Sequence, residues 1–159
     1  MNWEAIGSIG ELVSAVGVIG TLIYLALQIR NSTMESRLIA NADIARDYNS
    51  LLQHISDDKE LSMLWVKALE DFNSLSADEK SRAIMLIGNM ARILENAYQQ
   101  FKSGRMTEEA WVGYEKLLKL AVSATVFPAY WMLRKELHNQ SFQDLVQRLL
   151  ETPATNKLF

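Results

Sequence analysis

Residues 6–29 read IGSIGELVSAVGVIGTLIYLALQI, and this stretch decides the fold that we expect. From residue 12 to residue 29 the chain has eighteen consecutive residues without a charge. A helix of that length rises roughly 27 Å, which is close to the ~30 Å hydrocarbon core of a bilayer. We therefore predict that residues 1–31 form a transmembrane anchor helix.

Three other interpretations of this stretch are weaker. A cleaved signal peptide begins with basic residues, whereas the first Lys or Arg of this chain is Arg30. An interfacial amphipathic helix has a face rich in Lys and Arg, which the stretch lacks. A helix at the centre of a water-soluble bundle is also apolar on all sides, and it remains the main alternative.

Flanking charge gives the predicted anchor an orientation. All sixteen Lys and Arg residues lie at or after Arg30, and only the terminal amine, beside Glu4, precedes the apolar stretch. The positive-inside rule then places the C-terminal part in the cytoplasm and the N-terminus outside. The chain has no cysteine, which fits a reducing compartment and excludes disulfides and thiolate chemistry.

Small and polar residues recur in the anchor at alternating intervals of three and four, and we call this set the seam. The spacing puts the seam on one face of a helix, where small residues let helix backbones approach closely in lipid. We predict that the anchor forms a homo-oligomer through this face, although Gly and Ser are common in membrane helices anyway. The seam consists of Gly10, Ser14, Gly17, Thr21, Tyr24 and Gln28, with Gly7 and Asn31 at its ends.

Glu11 is a carboxylate inside the predicted span, where a charge is costly and marks a functional position by default. Because it lies only about one turn into the span, a structural or interfacial role is the simpler interpretation. The alternative is an oligomeric ion channel, in which the seam lines the pore and Glu11 forms an acidic ring at its mouth. Small seam residues favour close packing over a water-filled path, so the channel ranks second.

The rest of the chain is predicted to be all-α, with a cytoplasmic bundle of about six helices over residues 32–151 and a tail over residues 152–159. The chain has only seven Gly and two Pro and no strand-like alternation. From Arg30 onward it has sixteen basic and seventeen acidic residues. This balance does not indicate a nucleic-acid-binding face.

Helix boundaries can be predicted from capping residues and turn residues. Ser32 with Glu35 is a possible capping box, although the helix can also run on unbroken from the anchor. Later helices are expected to begin near Asp57 or Asp58, at Ser76 with Glu79, at Thr107, near Pro128 and at Ser141 with Asp144, and Gly104 suits the left-handed end of the fourth helix.

The fourth predicted helix carries the densest polar set, in the string NMARILENAYQQF. One interpretation is a polar pocket or a site for a protein partner that remains unidentified. The other, which we prefer, is a half-buried network that fixes helix packing. The set consists of Asn89, Arg92, Glu95, Asn96 and Gln99.

No catalytic, metal-binding or cofactor-binding motif is present. The two histidines are His54 and His138, and neither follows a Glu by three residues, as di-iron bundles require. We expect His138 to cap a helix end. The chain lacks a glycine-rich phosphate loop and zinc-ligand spacing. We therefore predict a non-enzyme; an enzyme acting on a lipid or a small molecule through the polar set is a weak alternative.

The string NWEAIGSIGELVSAVGVIGTLIYLALQIRNST resembles the start of a group of uncharacterised bacterial single-pass membrane proteins, which share an AIGE…TLIYLAxQIRxN pattern. The strings RILENAYQQFKSGRMTEEAW and SFQDLVQRLLE resemble the same group. The resemblance implies a helical protein associated with the bacterial inner membrane, and it carries over no catalytic residue. Together with the seam, it leads us to expect a membrane-anchored interaction or scaffold protein.

Overall fold

The computed structural model describes the backbone of residues 3–151, and it describes the side chains of this range except those of residues 3–15, 33, 36, 37 and 40. Over these residues the chain is all-helical, so the predicted fold class is confirmed at this level. The α-helices are α1 (Trp3–Asp57), α2 (Lys59–Glu70), α3 (Ala77–Lys102), α4 (Glu108–Ser123), α5 (Phe127–Arg134) and α6 (Gln140–Glu151), and 3₁₀-helices span Phe72–Ser74 and Lys135–Leu137.

The predicted anchor and the helix after it are one continuous helix, α1. The capping box predicted at Ser32 and Glu35 therefore does not begin a helix. Two compact units are distinguished, Met1–Ile39 and Ala40–Phe159. The boundary predicted after residue 31 stays a prediction, and the tail predicted over residues 152–159 lies outside the described residues.

In the first unit, every described side chain is exposed. Large apolar side chains between Val16 and Ile39 are 45% to 68% exposed, and we call residues 16–39 the exposed apolar segment. The alternative interpretation, a helix buried inside a bundle, therefore finds no support in these residues.

The predicted transmembrane helix also gains no support from the fold. Within the described residues, no helix is both long enough and apolar enough to cross a membrane. The predicted span also includes residues 12–15, whose side chains are not described. The anchor thus stays a prediction.

Capping side chains begin three helices of the second unit as predicted. The Asp58 carboxylate accepts hydrogen bonds from two backbone amides at the start of α2, at 2.8 and 3.0 Å. The bond from the Leu61 amide is the main reason why the pKa of Asp58 lies below its usual value. Ser76 and Glu79 form a reciprocal capping box at α3, and the Thr107 hydroxyl accepts a bond from the first turn of α4.

Other boundaries are partly as predicted. Gly104 has φ 69°, the left-handed conformation that favours glycine after a helix, and Pro128 lies in the first turn of α5. The prediction that Ser141 begins α6 is wrong. Asn139 caps this helix instead, because its side-chain oxygen accepts a bond of 3.0 Å from the amide of Phe142.

The core of the second unit follows α3. Apolar spacing from Ile84 to Phe101 predicts a core stripe on this helix. The prediction is confirmed, because Ile87, Ala91, Leu94 and Tyr98 are buried and the two ends of the stripe are half-buried. The tryptophans Trp65, Trp111 and Trp131 pack in or against this core. Fully burying one such large side chain contributes roughly 1.5–3 kcal/mol.

For the helix that follows the anchor, apolar spacing predicts a core stripe of Leu38, Ala42, Ala45, Tyr48 and Leu52. This prediction is wrong in α1. Leu38 and Leu52 are 68% and 39% exposed, whereas Ile44, Leu51 and Ile55 are buried. Several apolar residues there are spaced at helical intervals, and local spacing does not decide which of the neighbouring stripes faces the core.

Two helical glycines allow a matched test of the packing. A Cβ at Gly88 would lie 2.9 Å from Cε2 of the Tyr130 ring, which is buried, whereas a Cβ at Gly113 would meet nothing within 4 Å. We expect Gly88→Ala to destabilise the protein, since overpacking costs about 1–3 kcal/mol. Gly113→Ala should stabilise α4 by up to about 1 kcal/mol. Thermal unfolding followed by circular dichroism compares the two variants; equal melting temperatures would contradict the packing of α5 on α3.

Candidate functional site

A buried carboxylate joins α3 to the start of α6. The residue Glu95 is only 6% exposed. Its Oε1 accepts hydrogen bonds from the Asn139 amide (2.8 Å) and from Nδ2 of the Asn139 side chain (2.6 Å). Its Oε2 contacts Nδ1 of His138 at 2.7 Å and accepts a bond from Nη1 of Arg92 at 3.1 Å. We call this set, with Tyr130, the Glu95 network.

His138 connects the carboxylate to Tyr130. Its Nε2 lies 2.5 Å from the Tyr130 hydroxyl. Because Nδ1 faces a carboxylate, we assign the proton to Nδ1, so that Nε2 accepts the hydrogen bond from the hydroxyl. Burial raises the pKa of Tyr130 above its usual value, which keeps the hydroxyl protonated. Rings of Trp131 and Phe142 pack against the imidazole, with centroids at 5.4 and 5.2 Å.

The geometry of the network fits a role in fixing the fold. It connects α3, α5 and the start of α6, and each of its polar side chains has a hydrogen-bond partner. Tyr130 and His138 are both buried. His138 is the C-cap residue of the 3₁₀-helix Lys135–Leu137, so the prediction that it caps a helix end is confirmed. Its side chain is also an interior member of this network, which was not predicted.

Gln99 lies at the edge of the network. Its Nε2 donates to Oδ1 of Asn139 at 2.9 Å and to the Ser141 hydroxyl at 3.1 Å. Two members of the predicted polar set, Glu95 and Gln99, thus hold α3 to the N-terminus of α6. Their arrangement fits the packing interpretation of the set.

The other three members line an open groove of about 590 Å³ within the second unit. α3 contributes one wall and the C-terminal part of α1 contributes the other. We call this the polar groove; its lining residues are Asp47, Ser50, Leu51 and His54 from α1, and Asn89, Arg92, Ile93 and Asn96 from α3.

Arg92 belongs to both the groove and the network. Its Nη1 donates to Oε2 of Glu95 and to the Leu137 carbonyl, at 3.1 and 2.8 Å. The side chain nevertheless remains 53% exposed. A guanidinium has five N–H donors, so a fixed cation with unused donors lies at the groove.

The predicted seam falls only partly within the described side chains. Gly10 and Ser14 of the seam, and the neighbouring Glu11, belong to the residues whose side chains are not described. Gly17 has open space around it, and Tyr24 and Gln28 are exposed. The Thr21 hydroxyl donates to the Gly17 carbonyl at 2.9 Å, so it is satisfied within its own helix.

The sequence prediction missed several residues of these sites. Tyr130 and His138 were not connected to Glu95, and Asp47 and His54 were not connected to the groove. The partners are 43 residues apart in the case of His138 and Glu95. No local spacing in the sequence indicates such a pair. The sequence shows only that His138 lies near a helix boundary, in the string ELHNQS.

Comparisons of the chain with protein families, with curated proteins and with solved structures find no match. The resemblance to bacterial single-pass proteins therefore stays a prediction. Among the described side chains, no group of three His, Asp or Glu residues is placed to hold a metal ion.

The Glu95 network predicts a large difference between two glutamates. Glu95→Ala should destabilise the protein by about 3 kcal/mol or more, because His138 and Asn139 would lose their buried partner. Glu115→Ala is the control, since Glu115 pairs with Lys119 at 2.7 Å on the surface and a surface change costs within about 0.5 kcal/mol. Urea unfolding of the full chain in mild detergent, followed by tryptophan fluorescence, measures both; similar midpoints would contradict a stabilising network.

Proposed function

We propose that this chain is a membrane-anchored helical interaction protein that self-associates through its N-terminal helix. Residues 1–31 lie in the bilayer, and the second unit lies at the cytoplasmic face. The chain acts as a scaffold, with no catalytic activity of its own.

The observation that carries this proposal is the exposure of the apolar segment. Val18, Ile19, Leu22 and Ile23 are 57% to 60% exposed, and similar side chains continue to Ile39. Leaving apolar surface in water costs roughly 25 cal/mol for each Å². A contiguous exposed patch of this kind is typical of a surface that is covered in the working state.

Lipid is the covering that fits the distribution of these side chains. Successive residues of a helix are about 100° apart. Ile19 and Ile23 therefore lie opposite the seam, and Val16, Leu27 and their neighbours widen the apolar arc to more than half of the circumference. A single protein partner covers one stripe of a helix, whereas lipid covers the whole arc. The uncharged sequence also continues back to residue 12.

The seam supplies the contact between copies. Gly17 leaves room for the backbone of a second helix, since nothing lies within 4 Å of its Cβ position. The Thr21 hydroxyl donates a hydrogen bond to its own helix, which avoids the free-energy cost of an unpaired hydroxyl in lipid. This bond leaves the space beside Gly17 open. The same bond argues against the channel alternative, because the hydroxyl proton is already donated within the helix.

Flotation of the full chain with lipid vesicles tests the anchor. We expect the protein to float with the vesicles and to stay with them after an alkaline carbonate wash. The double variant Ile19→Arg, Ile23→Arg should be released, since each Arg in a span costs roughly 3 kcal/mol.

The control for flotation adds the same charges at exposed apolar positions of the second unit, as Met63→Arg with Met85→Arg. This control should float like the original protein. A chain that remains dispersed in buffer without surfactant, and stays at the bottom of the gradient, would refute the anchor.

A matched pair of leucine substitutions tests the seam. Gly17→Leu should weaken self-association at least about tenfold, or ~1.4 kcal/mol, because the side chain blocks close approach. Ala26→Leu adds bulk on the side away from the seam and should have no effect. Sedimentation equilibrium in detergent measures both dissociation constants; a protein that is monomeric at every concentration would contradict self-association.

A further inference from the structure

The polar groove contains two opposite charges that do not pair with each other. Asp47 and Arg92 both line it, yet among the described residues the ion pair of Arg92 is with Glu95, and Asp47 has none. The neighbouring cation, Arg46, pairs with Asp43 at 2.9 Å. Asp47 and the N–H groups of Arg92 outside Nη1 therefore remain available to a molecule that enters the groove.

The cation is held in place before any ligand binds. Both N–H groups of Nη1 on Arg92 have acceptors, the Glu95 carboxylate and the Leu137 carbonyl. Within the described part of the chain, the three N–H groups on Nε and Nη2 have no protein acceptor. A guanidinium fixed on one side presents a fork that matches a carboxylate or a phosphate.

Neutral polar side chains accompany the two charges. Asn89, Asn96 and Ser50 line the groove, and none of them hydrogen-bonds to another described side chain. Asn89 and Asn96 lie three residues before and four residues after Arg92, so they share its face of α3. Their amide groups are placed to donate to an anion or to accept from an ammonium group.

We propose that the polar groove binds a small zwitterion. The anionic group, a carboxylate or a phosphate, binds Arg92 and the flanking amides, and the ammonium group binds Asp47. The volume of about 590 Å³ lies within the range of small-molecule sites. This inference concerns the second unit and goes beyond the proposed anchoring function, on which it does not rest.

The expected affinity is modest, because the groove is open to water. Water weakens the ion pairs and the charge-assisted hydrogen bonds that form at an exposed site. A dissociation constant of about 1 mM, equivalent to roughly −4 kcal/mol, is consistent with these weakened interactions. Two sources share this chemistry: a free amino acid or short peptide, and the head group of an ethanolamine phospholipid.

Titrations of the full chain in detergent, followed by NMR signals of the Asn89 and Asn96 amide groups, test the proposal. The probes are glycylglycine and phosphoethanolamine, with acetate and ethanolamine as half-ligands at constant ionic strength. At least one zwitterion should saturate near 1 mM and bind about tenfold more tightly than either half-ligand. Preference for phosphoethanolamine indicates the head group, and preference for glycylglycine indicates a peptide or amino acid.

Asp47→Asn is the decisive variant, because the Asp47 side chain makes no ion pair that the fold needs. It should reduce zwitterion binding about fivefold to tenfold, to the level of acetate. Asp43→Asn, one turn earlier on α1 and outside the groove, is the control and should leave binding unchanged. Acetate binding as tightly as the zwitterions, no saturation by either zwitterion, or no effect of Asp47→Asn would each overturn the proposal.

Discussion

The buried carboxylate of Glu95 is the contact on which the arrangement of the second unit depends. A charge that is 6% exposed is tolerated only if its acceptor positions are filled. Four hydrogen bonds fill them, from Arg92, His138 and twice from Asn139. Three of the four come from the segment that begins α6, so satisfying this charge also sets where that helix starts. The orientation of Arg92 in the polar groove follows from the same requirement.

The two units of the chain solve the problem of apolar surface in different ways. In the second unit, α3 buries its apolar stripe against the other helices, and the interior is closed by the chain itself. In the first unit, the described apolar side chains of α1 remain exposed. The hydrophobic effect acts equally on both, and we propose lipid as the covering of the exposed apolar segment. The exposed side chains, rather than any motif, are the physical basis of the proposed anchor.

Capping and periodicity could be predicted from the sequence because they depend on residues three or four apart. Asp58, Ser76 with Glu79, Thr107 and Gly104 each act within one helical turn. Their effect therefore does not depend on the rest of the fold. The stripe of α1 was misassigned, because its direction depends on which helices pack there. The Glu95 network could not be predicted, since its members come from separate helices and their proximity follows from packing.

The continuity of α1 decides between two alternatives that the sequence left open at Ser32 and Glu35, a new helix or an unbroken one. One helix carries Gly17 and Thr21 of the seam as well as Asp47 and His54 of the groove. No Pro interrupts the chain between the two sets, and sharp kinks in helices occur mostly at Pro. A capping box at Ser32 stabilises a helix only where the helix begins, because in a continuous helix the N–H groups that it could bond already have carbonyl partners one turn earlier.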